Sequence, residues 1–195
     1  MPTALIVVDV QMDFCPGGAL AVKHGDQVVS RLNKVVEAFE SLGAPVFFTR
    51  DWHPQDHISF RSQGGPWPPH CVQGSPGARF HPDLLVPRDA RVISKGDRPS
   101  AEAYSGFQGT DLGAQLKGLG VKELFIGGLA TDYCVRETAL DALRAGFSVV
   151  LLRDCVRPVD ARRGDGARAL AEIQKAGARL TISSKAVGRL ASTQQ

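Results

Sequence analysis

The chain has 195 residues, 43% hydrophobic and 22% charged, with a formal net charge of +3. That composition excludes a disordered or low-complexity chain and suffices for one domain with a substantial apolar core. The weak basic bias is no nucleic-acid signature: Arg162, Arg163 and Arg168 cluster, but no aromatic residue interleaves with them to stack on bases.

At the N-terminus, Met1-Pro2-Thr3 leads straight into Ala4-Leu5-Ile6-Val7-Val8, with no basic stretch or small-residue cleavage site before it. This apolar run reads as a buried strand ending at the acid Asp9. After a glycine-rich loop, Asp26 is placed to cap a helix running to about Leu42. Its residues Val28, Val29, Leu32, Val35, Val36 and Phe39 form one stripe at a period of about 3.6 residues. Gly43 stops the helix and Pro45 to Thr49 makes a second strand, so the short crossover favours parallel pairing.

Residues 51–90 are rich in tryptophan, histidine, proline and glycine but lack sustained periodicity. A loop of that length inside a compact domain points to function. Further strands are expected at Arg91 to Ser94, ending at Lys95, at Lys122 to Ile126, at Ser148 to Leu152 and around Leu180 to Ile182. Helices are expected over Asp111 to Leu119, Tyr133 to Ala145 and residues 161–176, and the last dozen residues read as a frayed tail. No apolar run approaches the roughly 20 residues that a bilayer crossing needs. Cys15, Cys71, Cys134 and Cys155 are too scattered for a disulfide framework or a paired zinc motif, so free thiols in a reducing, cytoplasmic setting are the simpler reading.

This succession predicts a single α/β domain over residues 1–195: three αβα layers around a central, mainly parallel sheet. In such sheets ligands sit beyond the carboxyl ends of the strands. Asp9, Asp51, Lys95 and the segment 127–134 all fall at positions of that type.

Two constellations follow. Cys134 lies where a strand leads into a helix, so free amides there can stabilise a thiolate or receive an oxyanion. Asp9 can take the thiol proton, and the Lys95 ammonium can stabilise both anionic partners. The second lies in Asp51-Trp52-His53-Pro54-Gln55-Asp56-His57, followed by His70. Strand alternation puts Asp51 and His53 on one side, and a returning loop can add His70, a mixed donor set that suits zinc, iron or manganese. His57 is read as a fourth ligand, a water-mediated neighbour, or a residue holding Ser59 and Asp56 in place. His24 and His81 lack comparable context.

The chain resembles the nicotinamidase/pyrazinamidase family within the isochorismatase-like cysteine hydrolases. The resemblance covers nearly the whole sequence and rests on LIVVDVQMDFCPGGAL at 5–20, TRDWHPQDHISF at 49–60, GGPWPPHCVQG at 64–74, VISKG at 92–96, YSGF at 104–107 and GGLATDYCVRETALDA at 127–142. It implies an isochorismatase-like fold and a catalytic triad of Asp9, Lys95 and Cys134. It implies one divalent metal ion, zinc ahead of iron or manganese, on Asp51, His53 and His70, with His57 an additional ligand in some relatives. A cis bond between Leu129 and Ala130 is implied, turning the Ala130 amide toward an oxyanion hole shared with the Cys134 amide. Phe14 and Trp67 are placed around the substrate ring, with Tyr104 and Tyr133 nearby. The implied reaction hydrolyses nicotinamide to nicotinate and ammonia through a Cys134 thioester, with pyrazinamide also accepted, in pyridine-nucleotide salvage.

The competing readings are a related amidase or N-carbamoyl hydrolase with another small amide, isochorismate hydrolysis, and a noncatalytic metal-stabilised interaction module. Isochorismate hydrolysis is disfavoured because that branch lacks the cysteine-centred set. The implied partner is a small aromatic amide, not nucleic acid or membrane, and the sequence leaves a homo-oligomer open.

Overall fold

A computed structural model describes residues 1–192 and contains six strands in one wholly parallel sheet, ordered β3-β2-β1-β4-β5-β6. In chain order the elements are β1 (Thr3–Val8), α1 (Val29–Ser41), β2 (Val46–Asp51), β3 (Arg91–Lys95), α2 (Leu112–Gly118), β4 (Glu123–Leu129), α3 (Arg136–Arg144), β5 (Ser148–Arg157), α4 (Asp165–Lys175), β6 (Arg179–Thr181) and α5 (Ser183–Ala191).

The strand period of two sorts β1 between two cores. Leu5 and Val7 pack with the apolar stripe of α1 and with Ala186 and Leu190 of α5. Ala4, Ile6 and Val8 pack on the other face with Leu112 and Leu116 of α2, Ala139 and Ala142 of α3, and Ile173 of α4. The result is the expected three-layer αβα arrangement. Each large side chain buried this way contributes about 1.5–3 kcal/mol. No helix among the described residues is long and apolar enough to cross a membrane.

Strand order reverses at β1, which pairs with β2 on one side and β4 on the other. The crevice at such a switch point is where an open parallel sheet binds ligands. Asp9 follows β1 there, and the segment leading to Cys134 follows β4. Close approach between these strands demands glycine: a Cβ on Gly128, whose φ is +130°, would lie 2.0 Å from the Val8 carbonyl oxygen.

Several boundaries differ from expectation. Asp26 caps no helix; residues 25–28 form a 3₁₀ turn and α1 begins at Val29. β5 runs on to Arg157 because it re-pairs with β4 beyond a register shift, joining Gly128 to Val156 and Leu129 to Arg157. The helix expected from Tyr133 starts instead as a wide π turn at Thr131–Val135, since the Ala130 carbonyl accepts from Val135 N at 3.1 Å as well as from Tyr133 N.

The frayed tail is the largest correction. Residues 183–191 form α5, held at its start by Asp154, whose carboxylate accepts from Ser183 N at 2.8 Å and from Ser183 Oγ at 2.7 Å. Ala186 and Leu190, four residues apart, dock into the core beside α1. The remainder of that expectation, residues 193–195, lies outside the described residues.

Candidate active site

The four strand ends bring the expected residues together. Asp9 closes β1 with φ +48°, its N–H donating to the Thr49 carbonyl at 3.1 Å. Asp51 and Lys95 end β2 and β3 as register partners. The π turn carries Cys134 over the same end of the sheet.

Lys95 is fully buried, and its ammonium is the hub. It lies 2.9 Å from Asp9 Oδ2, donates to Asp51 Oδ1, to the Ala103 carbonyl at 3.2 Å and to Cys134 Sγ at 3.4 Å. One donor atom each from Asp9, Asp51 and Cys134 lies within 4.8 Å of the others, a spacing that could itself suit a metal. The Lys95 ammonium already donates to Asp51 and Cys134 and pairs with Asp9, so this cluster is an ammonium site.

The two carboxylates respond differently to that shared cation. Burial disfavours ionisation of Asp51, but Lys95 and His53 outweigh it and hold its carboxyl well below the usual range. At Asp9 burial wins over Lys95 and the Thr49 hydroxyl, so its pKa is raised. Asp9 Oδ1 accepts from Thr49 Oγ at 2.6 Å, whereas Oδ2, although close to Lys95, has no partner in hydrogen-bond geometry. That buried oxygen faces both the ammonium and the thiol. Burial also works against the charge of Lys95, yet Asp51 and Asp9 hold its pKa well above the ordinary value. The Cys134 thiol is pushed well above the usual thiol range by burial, with Lys95 opposing and Asp9 and Asp51 adding to the rise. Lys95 favours the anion as anticipated, while burial and the two carboxylates favour the thiol.

The second constellation assembles one layer outward. The strand geometry persists past β2, because His53 N donates to the Cys71 carbonyl at 3.0 Å and Gln73 N to the His53 carbonyl at 2.8 Å. That pairing returns the long loop and delivers His70. Asp51 Oδ2 lies 3.5 Å from His53 Nε2 and 4.0 Å from His70 Nε2. Each imidazole spends Nδ1 on a carbonyl, His53 on Gly96 and His70 on Pro68, both at 2.8 Å, which leaves Nε2 as the lone-pair donor. Gly96, at φ +60°, permits this: a Cβ there would sit 2.5 Å from the His53 ring. All three donors are buried, and a carboxylate oxygen facing two imidazole lone pairs calls for a shared cation. The set fits a divalent metal ion.

His57 stands apart from those donors. Its ring stacks on His53 with centroids 4.0 Å apart, Nδ1 meets Ser59 Oγ at 2.7 Å and Nε2 meets the Ala101 carbonyl at 3.1 Å. Both nitrogens are occupied, so of the open readings the one in which it holds Ser59 matches this placement.

A cavity beside both clusters is lined by Phe14, Trp67, Tyr104 and Tyr133, with Ala130 and Cys134 in its wall. Trp67 Nε1 donates to Tyr104 Oη at 3.0 Å, and the Trp67 and Tyr133 rings meet edge-on at 5.2 Å. The Leu129–Ala130 bond is cis. Leu20, Val22, Glu102 and Val159 also line this cavity and were not anticipated, since no local pattern links three such distant segments. A larger cleft of about 980 Å³ opens at the amino ends of the strands, but its lining includes neither cysteine nor histidine.

A parallel sheet that gathers a thiol, an ammonium and a carboxylate beside three metal donors defines a cysteine-dependent hydrolase of the αβα class. The Isochorismatase domain family matches residues 3–184. The chain is 42% identical to the nicotinamidase of Escherichia coli (strain K12), covering 92% of this chain and 94% of that one. It is 41% identical to the nicotinamidase/pyrazinamidase of Mycobacterium tuberculosis, covering 93% and 99%. The crystal structure of the pyrazinamidase of Pyrococcus horikoshii in complex with zinc superposes with a TM-score of 0.89 at 52% identity, covering 93% of this chain and 99% of that one. The chain belongs to the nicotinamidase/pyrazinamidase family of isochorismatase-like hydrolases.

Proposed function

We propose that this chain hydrolyses nicotinamide to nicotinate and ammonia, and accepts pyrazinamide, through a thioester on Cys134. The observation that carries the reading is the placement of Lys95 Nζ 2.9 Å from Asp9 Oδ2 and 3.4 Å from Cys134 Sγ, beside the Asp51/His53/His70 donors and an aromatic-lined cavity.

In this reading Phe14 and Trp67 hold the ring, with Tyr104 and Tyr133 nearby. Asp9 takes the thiol proton as Cys134 Sγ attacks the carboxamide carbon. The amides of Ala130 and Cys134 receive the oxyanion. Protonated Asp9 then gives its proton to the leaving nitrogen, the C–N bond breaks, and ammonia departs. Water, deprotonated by Asp9, adds to the thioester, releasing nicotinate and restoring the thiol. Lys95 keeps its charge throughout and stabilises whichever partner is anionic.

Asp51, His53 and His70 would hold a divalent ion, zinc in our reading, which supplies an electrophilic anchor for the ring nitrogen. A single domain carries both constellations, and the four free, buried cysteines support a cytoplasmic setting.

The test is ammonia release from nicotinamide, pyrazinamide, benzamide and an N-carbamoyl amino acid by protein of measured metal content. Preference for the two ring-nitrogen amides over benzamide supports the reading. Equal rates on benzamide, or turnover of the N-carbamoyl substrate alone, would overturn it.

A further inference from the structure

We propose that Gln11 is a positioning residue for the metal site, fixing Asp51 through its side chain and Asp9 through its backbone. The inference rests on reading Asp51, His53 and His70 as the metal donors. The ladder between β1 and β2 ends at Val8 and Thr49, so on its β1 side the backbone of Asp51 has no strand to pair with. The Gln11 side chain takes the place of that missing peptide. Its Oε1 accepts from Asp51 N at 2.8 Å and its Nε2 donates to Asp51 O at 2.8 Å, closing a reciprocal amide pair across 40 residues of sequence. The same Nε2 donates to the Ala78 carbonyl at 2.9 Å, so the long loop is tied to this point as well.

Gln11 is completely buried, so each of these groups would be left unsatisfied without it. Its own N–H donates to the Asp9 carbonyl at 2.8 Å, closing the tight turn in which Asp9 holds φ +48°. One side chain therefore sets where Asp51 ends β2, while its backbone sets where Asp9 ends β1. Asp51 must present Oδ1 to Lys95 and Oδ2 to the imidazoles simultaneously, and a small rotation of its backbone would spoil both. Gln11 touches neither metal donor atoms nor reacting atoms; it acts through Asp51.

A purely structural role is the rival, and the fold supplies its own control. Asn33 of α1 makes the same kind of reciprocal clamp on the far part of the same loop, Nδ2 to the Asp83 carbonyl and Leu85 N to Oδ1, both at 2.8 Å. Zinc affinity is measured by chelator competition on the full chain for wild type, Gln11→Met, Gln11→Glu, Asn33→Leu and His70→Ala, with melting curves on each. Gln11→Met removes all three bonds without adding charge and is expected to weaken zinc binding about 10–100-fold, the usual cost of losing a group that orients a ligand. Gln11→Glu is expected to weaken it too, although its added negative charge alone would tighten binding; it also guards against a misfolded Met variant. Asn33→Leu is expected to lower the melting temperature while leaving zinc affinity unchanged. Wild-type affinity in both Gln11 variants, tighter binding in Gln11→Glu, or an equal loss in Asn33→Leu would overturn the proposal. If His70→Ala binds zinc like wild type, the metal reading falls and this inference with it; if His70→Ala loses zinc and the Gln11 variants do not, only Gln11 is wrongly assigned.

Discussion

Asp51 and Lys95 are register partners at the carboxyl ends of β2 and β3, and their side chains are bonded as well as their strands. Asp51 gives Oδ1 to the ammonium, while its Oδ2 faces His53 and His70 at 3.5 and 4.0 Å. One carboxylate thus forms a wall common to the thiol cluster and the metal donors. Because Lys95 and His53 keep it ionised despite its burial, it is a fixed charge for both sides.

That shared wall makes the ligands inequivalent. The paired change His53→Ala and His70→Ala is expected to abolish zinc binding and to lower nicotinamide turnover about 100-fold or more through lost orientation. Alkylation of Cys134 by iodoacetamide should survive it. Asp51→Asn is expected to abolish zinc binding and also to speed alkylation at a given pH, since the Asp51 charge raises the Cys134 pKa and draws Lys95 away from the thiol. Calorimetric zinc titration, alkylation rates and circular dichroism on the same preparations decide it. Wild-type alkylation in folded Asp51→Asn would show the two clusters to be independent.

Lys95→Gln leaves Asp9 and Asp51 buried without their common cation. Breaking a buried pair from one side costs about 3–5 kcal/mol. The expected penalty depends on pH, with a definite sign. Without Lys95 both carboxyls should have raised folded pKa values, so the variant should be closest to wild type in acid and fall further behind as pH rises through those values. Thermal melts from pH 5 to 8 would show the gap widening. Cys134 alkylation should also slow, because the Lys95 charge that lowers its pKa is gone. A constant gap across that range would mean that the carboxylates find another partner.

Cys134 is buried within the core that holds Val135 and Ala139, so Cys134→Ala removes a small side chain from a packed site and should cost about 1 kcal/mol. Turnover should fall by about 10⁴-fold or more, the scale on which losing a nucleophile registers. Cys134→Ser should be impaired nearly as severely, since burial that already opposes a thiolate opposes an alkoxide more strongly. Ammonia release by folded Cys134→Ala near the wild-type rate would remove Cys134 from the reaction.

What was legible from sequence follows from where polar residues interrupt apolar runs. Asp9, Asp51 and Lys95 each fall at the carboxyl end of a strand, and that shared position put them at one end of the sheet. Cys134 was legible by its position after a strand, but the π turn that carries it was not, because it depends on the Ala130 carbonyl accepting from both Tyr133 and Val135. The α5 helix was missed because its short sequence is ordinary in isolation; Asp154, 29 residues earlier, supplies its start and α1 its packing surface. Gln11 carried no signal, since a buried amide acquires its role only when a distant backbone is brought to it. Glu102 and Val159 reach the cavity from loops with no periodicity to read.

Asp9 offers the sharpest test of the mechanism, because its raised pKa has opposite consequences for activity and stability. Burial, only partly offset by Lys95 and Thr49, pushes it above its ordinary value of 3.8. A base must be ionised, so nicotinamide turnover should be lost as pH falls through the folded-state pKa, with the acid limb lying above the usual aspartate range. Stability runs the other way: a carboxyl raised on folding contributes stability that is complete below the unfolded pKa and lost as pH rises through the folded one. Once ionised, the group is therefore a burden on the fold. Asp9→Asn should lower turnover about 10²–10⁴-fold, the contribution of a positioned base, while costing little stability at pH 7, where Asp51 still pairs with Lys95. The pH profile of kcat/KM, with zinc content checked at each point, and melting curves for both proteins measure the two effects. An acid limb at or below the ordinary aspartate value, or near-wild-type turnover by Asp9→Asn, would move the proton-accepting role to another group.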